Sequence, residues 1–342
     1  MREADREGRD AAWRACPGPG VPLPRNGRAV LSEAGRRGRV VLAPTAEAFA
    51  REAVEAGGGT VVGPGEGADC LVWLGRPAEV AAALEAEDAL EWVQLPMAGV
   101  EGVAEAGVFD DPRWSGLTWT CAKGSFAEPV AEHALALALA GLRHLALRAR
   151  ATSWGEQAGT TLYDAQVTVL GGGGIAASLL QLLEPFRVRA TVVRRSAEPL
   201  AGAWRTVTPE HLHEVLPGSR CLFVALALHP GTVKVVGERE LELLGPDGWL
   251  VNVARGRHVD TEALVKALQE GTIGGAGLDV TDPEPLPAGH PLWSMPNCLV
   301  TPHTADTPEM VRALLATRVT ENVARWREGR RLVGLVDPAA GY

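Results

Sequence analysis

The stretch "VTVLGGGGIAASLL", residues 167–180, decides how this chain folds. Three β-branched residues and a leucine run into four glycines, and an apolar, helix-forming segment follows at once. Read as strand, turn and helix start, it places Gly171, Gly173 and Ala176 at the small positions of a G-x-G-x-x-A pattern. The first glycine permits the tight turn, the second lets the backbone approach a pyrophosphate, and the small third residue lets helix and strand pack closely. Unpaired N–H groups at the helix start then face an anion. Four glycines alone also describe a flexible loop, but the strand before and the helix after weigh against that.

On either side, apolar strand runs alternate with helical spacing. "RVVLAP", "ADCLVWLG" and "LEWVQLP" are separated by "AEAFAREAVEAGG" and "AEVAAALEAE"; after the glycines come "RATVVRRS", "RCLFVALAL", "GWLVNVARG", "GGAGLDV" and "NCLVTPH". Such alternation predicts parallel sheets covered by helices. The reading is an α/β chain of two doubly wound units, one inserted in the other. A dinucleotide-binding domain spans 125–303, inside a substrate domain made of 38–124 and 304–342. Residues 124–154, "GSFAEPVAEHALALALAGLRHLALRARATSW", read as one long helix with Ser125 and Glu128 as a capping box and Pro129 in its first turn. It is apolar on nearly all sides, which predicts burial between domains or subunits. A last helix is expected from a Thr307 cap, through Pro308, to a Gly329 stop.

Composition narrows the class. A length of 342 residues suggests two domains, and 46% hydrophobic with 22% charged residues describes an ordinary soluble globular chain. A net charge of −9 speaks against nucleic-acid binding. No stretch reaches the ~20 apolar residues of a membrane span. Residues 1–37 hold charges, Pro and Gly but no apolar core of a signal peptide, and read as a loose extension. Five cysteines lack metal or disulfide spacing, so no metal is expected and a reducing cytoplasm is.

The second half carries a charged trio. Arg255 stands between the run "VNVA" and a glycine, Glu284 lies in "LDVTDPEPLP", and His303 lies in "VTPHTAD". Each follows a strand-like run, so all three fall at the sheet edge where open α/β folds bind ligands. Singly, each has a bland reading as a cap, a loop charge or a structural histidine. Together their chemistry fits one task. A guanidinium binds a carboxylate in two-pronged fashion while polarising the neighbouring carbonyl, an imidazole gives a proton to that oxygen, and a carboxylate favours the protonated ring. The second strand of this unit, the first after the glycines, ends in Arg194, Arg195 and Ser196, where an NAD site commonly carries an acid. Guanidinium groups attract a 2′-phosphate, so NADP is favoured over NAD, with solvated surface arginines as the alternative.

With "LGGGGIAA", "NVARG", "DVTDPEPLP", "HPLW" and "TPHTA" in this order, residues 39–342 resemble the D-isomer-specific 2-hydroxyacid dehydrogenase family, and its glyoxylate/hydroxypyruvate reductases in particular. The resemblance implies two Rossmann-like domains with the active site in their cleft, and homodimers formed through the cofactor domain. It implies Arg255 as carboxylate and carbonyl binder, His303 as general acid/base and Glu284 as its partner. It assigns substrate contacts to Met97, Ala98 and Gly99 in "QLPMAGVEGV", and the nicotinamide carboxamide to Asp279. The cofactor set it implies also includes Gly171, Gly173, Gly174, Ile175, Arg194, Arg195, Ser196, Ala227, Thr232, Val253 and Ala254. The glycine loop departs from the family's commoner GLGxIG, and Ala227, Leu228 and His229 replace its usual PLT. The expected activity is reversible reduction of a small 2-oxo acid by NAD(P)H. The alternatives are a corepressor-like NAD(H)-sensing binding protein and a phosphite dehydrogenase. Trp293 reads either as a pocket wall or as plain packing.

Overall fold

The computed structural model describes residues 38–338; the expected extension, 1–37, and residues 339–342 lie outside the described residues. In chain order the strands are β1 (Arg39–Ala43), β2 (Thr60–Val62), β3 (Cys70–Trp73), β4 (Trp92–Gln94), β5 (Thr118–Thr120) and β6 (Gln166–Leu170). Then follow β7 (Arg189–Val193), β8 (Arg205–Val207), β9 (Ser219–Val224), β10 (Trp249–Asn252), β11 (Gly275–Leu278) and β12 (Cys298–Val300). The helices are α1 (Ala48–Ala56), α2 (Val80–Glu85), α3 (Glu101–Glu105), α4 (Ala127–Leu142) and α5 (Leu145–Ala149). After them come α6 (Gly174–Leu183), α7 (Leu212–Val215), α8 (Glu238–Leu244), α9 (Thr261–Glu270) and α10 (Pro308–Arg327). The chain divides into two compact units, Ala127–Asp306 and, among the described residues, 38–126 with 307–338.

The second of these is built on a parallel five-stranded sheet in the order β2-β1-β3-β4-β5. Central β3 and β4 are buried along their whole length, which is why they read as mainly apolar runs, with Gln94 the one polar residue in them. Leu71, Trp73, Val93, Leu95 and Trp119 pack with Val80 and Leu84 of α2. A buried polar set ties α10 to this sheet. Asn322 donates from Nδ2 to Gln94 Oε1 at 2.8 Å, Thr120 donates to the same oxygen at 2.9 Å, and Trp92 Nε1 donates to Thr120 Oγ1 at 2.8 Å. Every group in that chain has a partner, which is what makes burying it tolerable. Arg318, also on α10, donates to the carbonyls of Cys121 and Lys123, and burial lowers its guanidinium below its ordinary value.

Residues 127–306 form a parallel seven-stranded sheet in the order β12-β11-β10-β9-β6-β7-β8. The order runs outward in both directions from the β6–β9 pair, the switch point at which doubly wound sheets open a crevice beyond their strand ends. Leu170, Val193, Leu222, Val224, Leu250 and Leu278 form its core with Leu241, Leu264 and Leu268 of the covering helices. The helix after the glycines begins at Gly174, one residue ahead of the expected Ile175.

One expectation is corrected. Residues 124–154 are not one helix: α4 ends at Leu142, His144 takes a left-handed conformation with φ 51°, and the short α5 follows. The cause is local. Thr160 N–H donates to Leu142 O at 2.8 Å, and His144 N–H donates to Gly141 O in a tighter turn, so the carbonyls that would continue the helix are already satisfied. The buried face of α4 packs on α6 and on β10 and β11 of its own unit. Three large apolar side chains of this stretch are exposed just past the break: Leu145, Leu147 and Trp154, the last 94% exposed.

Candidate active site

Gly171 closes the turn after β6 with φ +112°, its N–H donating to Val193 O at 2.9 Å. A Cβ there would sit 2.3 Å from Ala225 O, so only glycine lets the loop after β9 pass this close. Gly173 is the N-terminal cap of α6 and has no side-chain capping bond, and a Cβ on it would meet nothing. Ala176 is fully buried where helix and strand touch. A flat backbone surface at the head of a ten-residue helix fits a pyrophosphate.

Arg194, Arg195 and Ser196, all half-buried, follow β7. The Arg194 stem lies across the glycine loop: a Cβ on Gly172 would be 2.6 Å from its Cδ. Ser196 Oγ accepts from Glu198 N–H at 3.2 Å. Burial, then neighbouring Arg195 and His258, hold the His229 imidazole below its ordinary value. Thr232 is buried, and its hydroxyl lies 3.0 Å from the carbonyl oxygens of both Ala227 and His229, to which it offers its one proton. Fully buried His258 sits with Nδ1 3.0 Å from Thr232 O and Nε2 3.3 Å from Leu226 O. Of these candidates, Thr232 is thus committed to shaping its own loop.

Arg255 leaves β10 in an extended conformation. Val253 and Ala254 before it are buried. Buried Asn252 shapes the exit: its Nδ2 donates to Arg255 O at 2.9 Å and its Oδ1 accepts from Ala254 N–H at 3.1 Å. One guanidinium nitrogen of Arg255 donates to Ala254 O at 2.7 Å. A Cβ on Gly256 would lie 1.9 Å from Thr281 O, so the Arg255 turn presses directly on the loop that bears Glu284.

His303 Nδ1 lies 2.7 Å from Glu284 Oε1, with both side chains about two-fifths exposed (44% and 42%). The ionised carboxylate only accepts, so Nδ1 carries the proton and Nε2 is the ring atom turned to other work. The His303 backbone is left-handed, φ 49°, a conformation that costs about 1–2 kcal/mol in a non-glycine residue and survives only where its surroundings enforce it. The enforcement comes from Asp279, which is 2% exposed. Its carbonyl accepts from His303 N–H at 2.8 Å. Its carboxylate accepts from the Thr301 hydroxyl at 2.6 Å and from the amides of Thr304 at 2.9 Å and Ala305 at 3.1 Å. Burial pushes the Asp279 carboxyl up, but bonds from His133, Thr301 and these amides outweigh it and hold it at about 2.

Two neighbours of this corner are not legible in the sequence. His133 of α4 reaches the Asp279 carboxylate, and nothing in "AEHALAL" distinguishes it from a lone histidine in an apolar helix. Asp306 lies near both His303 and Arg255; burial raises its carboxyl above the ordinary value, with His303 drawing it back. Arg255, Glu284 and His303 therefore stand on one rim of the seven-stranded sheet, after β10, β11 and β12 respectively. Trp293 is 46% exposed and donates from Nε1 to Pro287 O at 3.0 Å.

Met97, Ala98 and Gly99 follow β4 in the five-stranded unit. Met97 O accepts from Ala122 N–H at 2.8 Å, and Cys121 Sγ lies 3.4 Å from Ala98 O. Among the described residues, no cluster of His, Cys, Asp and Glu suits a metal ion, and no helix is long and apolar enough to cross a membrane.

This fold and rim define a dinucleotide-binding α/β protein, and comparison with known proteins gives the family. The model for the NAD binding domain of D-isomer specific 2-hydroxyacid dehydrogenases matches residues 134–305, which include Arg255, Glu284 and His303. The chain is 38% identical over 259 residues to an uncharacterized protein in the proB 3′ region of Corynebacterium melassecola, covering 74% of this chain and 84% of that one. It is 33% identical over 211 residues to the glyoxylate reductase of Pyrococcus furiosus, covering 58% of this chain and 62% of the reductase. A crystal structure of a D-isomer specific 2-hydroxyacid dehydrogenase from Xanthobacter autotrophicus Py2, in complex with NADPH and MES, is similar with a TM-score of 0.76 and 27% identity over 90% of this chain and 100% of that one. The chain belongs to the D-isomer specific 2-hydroxyacid dehydrogenase family, a family of nicotinamide-dependent oxidoreductases.

Proposed function

We propose that the protein reduces a small 2-oxo acid to the D-2-hydroxy acid, reversibly, with a nicotinamide cofactor. The observation that carries this reading is the 2.7 Å bond between His303 Nδ1 and Glu284, on the same sheet rim as Arg255. The bound nicotinamide supplies the hydride. Arg255 holds the substrate's carboxylate and polarises its carbonyl oxygen. His303, oriented through Nδ1 by Glu284, gives that oxygen a proton from Nε2, and takes it back in the reverse direction. Asp279 keeps the His303 loop in place and has a lone pair on Oδ2 for the nicotinamide carboxamide. The amides of Met97, Ala98 and Gly99 are assigned to the substrate carboxylate as well.

Glyoxylate and hydroxypyruvate are the proposed substrate class, supported by the similarity to a glyoxylate reductase. NADPH is the proposed preference, supported by the Arg194 stem against the glycine loop and by the NADPH held in the Xanthobacter relative. A homodimer through the cofactor unit is proposed on the exposed Leu145, Leu147 and Trp154, an apolar patch of the kind that marks an interface. Assay of glyoxylate, hydroxypyruvate, pyruvate and bulkier 2-oxo acids, each with NADH and NADPH, tests substrate and cofactor together. Turnover of none, with Arg255→Ala indistinguishable from wild type, sinks the enzymatic reading. Cofactor reduction by phosphite alone would favour phosphite oxidation instead.

A further inference from the structure

We propose that His133 is a positioning residue for proton transfer: it ties the loop bearing His303 to helix α4 through Asp279 and Thr301. The inference rests on the reading of His303 as the acid/base.

The protons on this cluster can be placed by counting. His133 Nε2 lies 3.0 Å from Thr301 Oγ1 and 3.4 Å from Asp279 Oδ1. Thr301 spends its single hydroxyl proton on Asp279 Oδ1, at 2.6 Å. The Asp279 carboxyl, held at about 2, stays ionised and only accepts. Neither oxygen therefore has a proton to give His133, so its Nε2 must be the donor. That fixes the ring's orientation and makes its N–H the polar contact from α4 to the end of β11 and the start of the 301–305 loop.

The same carboxylate organises everything around His303. Thr301 precedes it, Thr304 and Ala305 follow it, and all three donate to Asp279, whose carbonyl takes the His303 amide. The Asp279 side chain is 1% exposed, so water replaces a lost donor to it poorly. Without the His133 donor the charge of Asp279 loses one of its bonds, Thr301 loses the partner that holds its hydroxyl in line, and the left-handed His303 backbone loses part of its enforcement. A shift of ~1 Å at a proton-transfer group costs up to about a hundredfold in rate.

His133→Leu should cut kcat about 10- to 100-fold while moving KM less than about threefold, because the group displaced acts in the reaction rather than in binding. His133→Gln places an amide N–H where Nε2 stood and should restore kcat to within about threefold of wild type. Should His133→Leu fail to fold, His133→Asn serves, since its shorter amide no longer reaches Thr301. The second readout needs no cofactor: the His303 ring resonances in the ligand-free protein should move in His133→Leu or His133→Asn and return in His133→Gln. Normal kcat in these two variants with unmoved His303 resonances, alongside an inactive His303→Ala, overturns the positioning role alone. An active His303→Ala overturns the acid/base reading on which it stands.

Discussion

Two corners of the seven-stranded sheet do different jobs and are built differently. At the β10–β12 corner each part of the site is held by another side chain: Glu284 on the His303 ring, Asp279 on the loop beneath it, Asn252 on the backbone exit to Arg255. At the β6–β7 corner the feature that stands out is where charge is placed. Arg194 lies on the glycine backbone by its aliphatic stem, and Arg195 is half-buried near His229. The contrast follows the chemistry. A proton is delivered along a line, whereas a phosphate is attracted from many angles.

Mutation should expose that difference, most of all at the ring. His303→Ala is expected to lower kcat for 2-oxo acid reduction about 10²- to 10⁴-fold, the usual span for a general acid; a loss under tenfold in steady-state assays breaks the contrast. Gly256→Ala drives a Cβ into Thr281 O and should cost about 1–3 kcal/mol in urea unfolding, with turnover falling alongside. Unchanged stability would mean the two loops are not pressed together.

Asp279→Asn sharpens the comparison through pH. Its carboxyl is depressed to about 2 in the folded protein, so its contribution is present above the unfolded value near 4 and is lost as pH falls toward 2. The wild type should shed about 2 kcal/mol across that window that the variant does not. Parallel stability curves would remove Asp279 from its role. The smallest effect belongs to the other corner. Replacing Arg194 and Arg195 by alanine together should shift the NADPH-to-NADH ratio of kcat/KM by about tenfold, as expected of partly exposed charges, and leave kcat nearly unchanged.

Much of the fold is legible because buried parallel strands are mainly apolar: β3, β4, β9 and β10 stand out in the sequence. The strands that leave no such trace, β2, β5 and β8, are three residues long and sit at sheet edges. The break after Leu142 is hidden for another reason. It depends on Thr160 returning to cap the helix, a contact that periodicity does not encode. At the site, Arg255, Glu284 and His303 are legible because each sits in a distinctive strand-end motif. His133 and Asp306 are not, since their meaning comes only from the neighbours folding gives them.

The α10 helix has a consequence for synthesis. Residues 127–306 are contiguous, whereas the buried Gln94 and the Cys121 carbonyl of the five-stranded unit take hydrogen bonds from Asn322 and Arg318 on the last helix. On the ribosome, the part made first must therefore wait for the part made last, while the middle of the chain matures ahead of both. A nascent chain stalled after Asp306 is expected to protect β6–β12 from hydrogen exchange and to leave β1–β5 open; protection of both would show that the first sheet closes without its clasp.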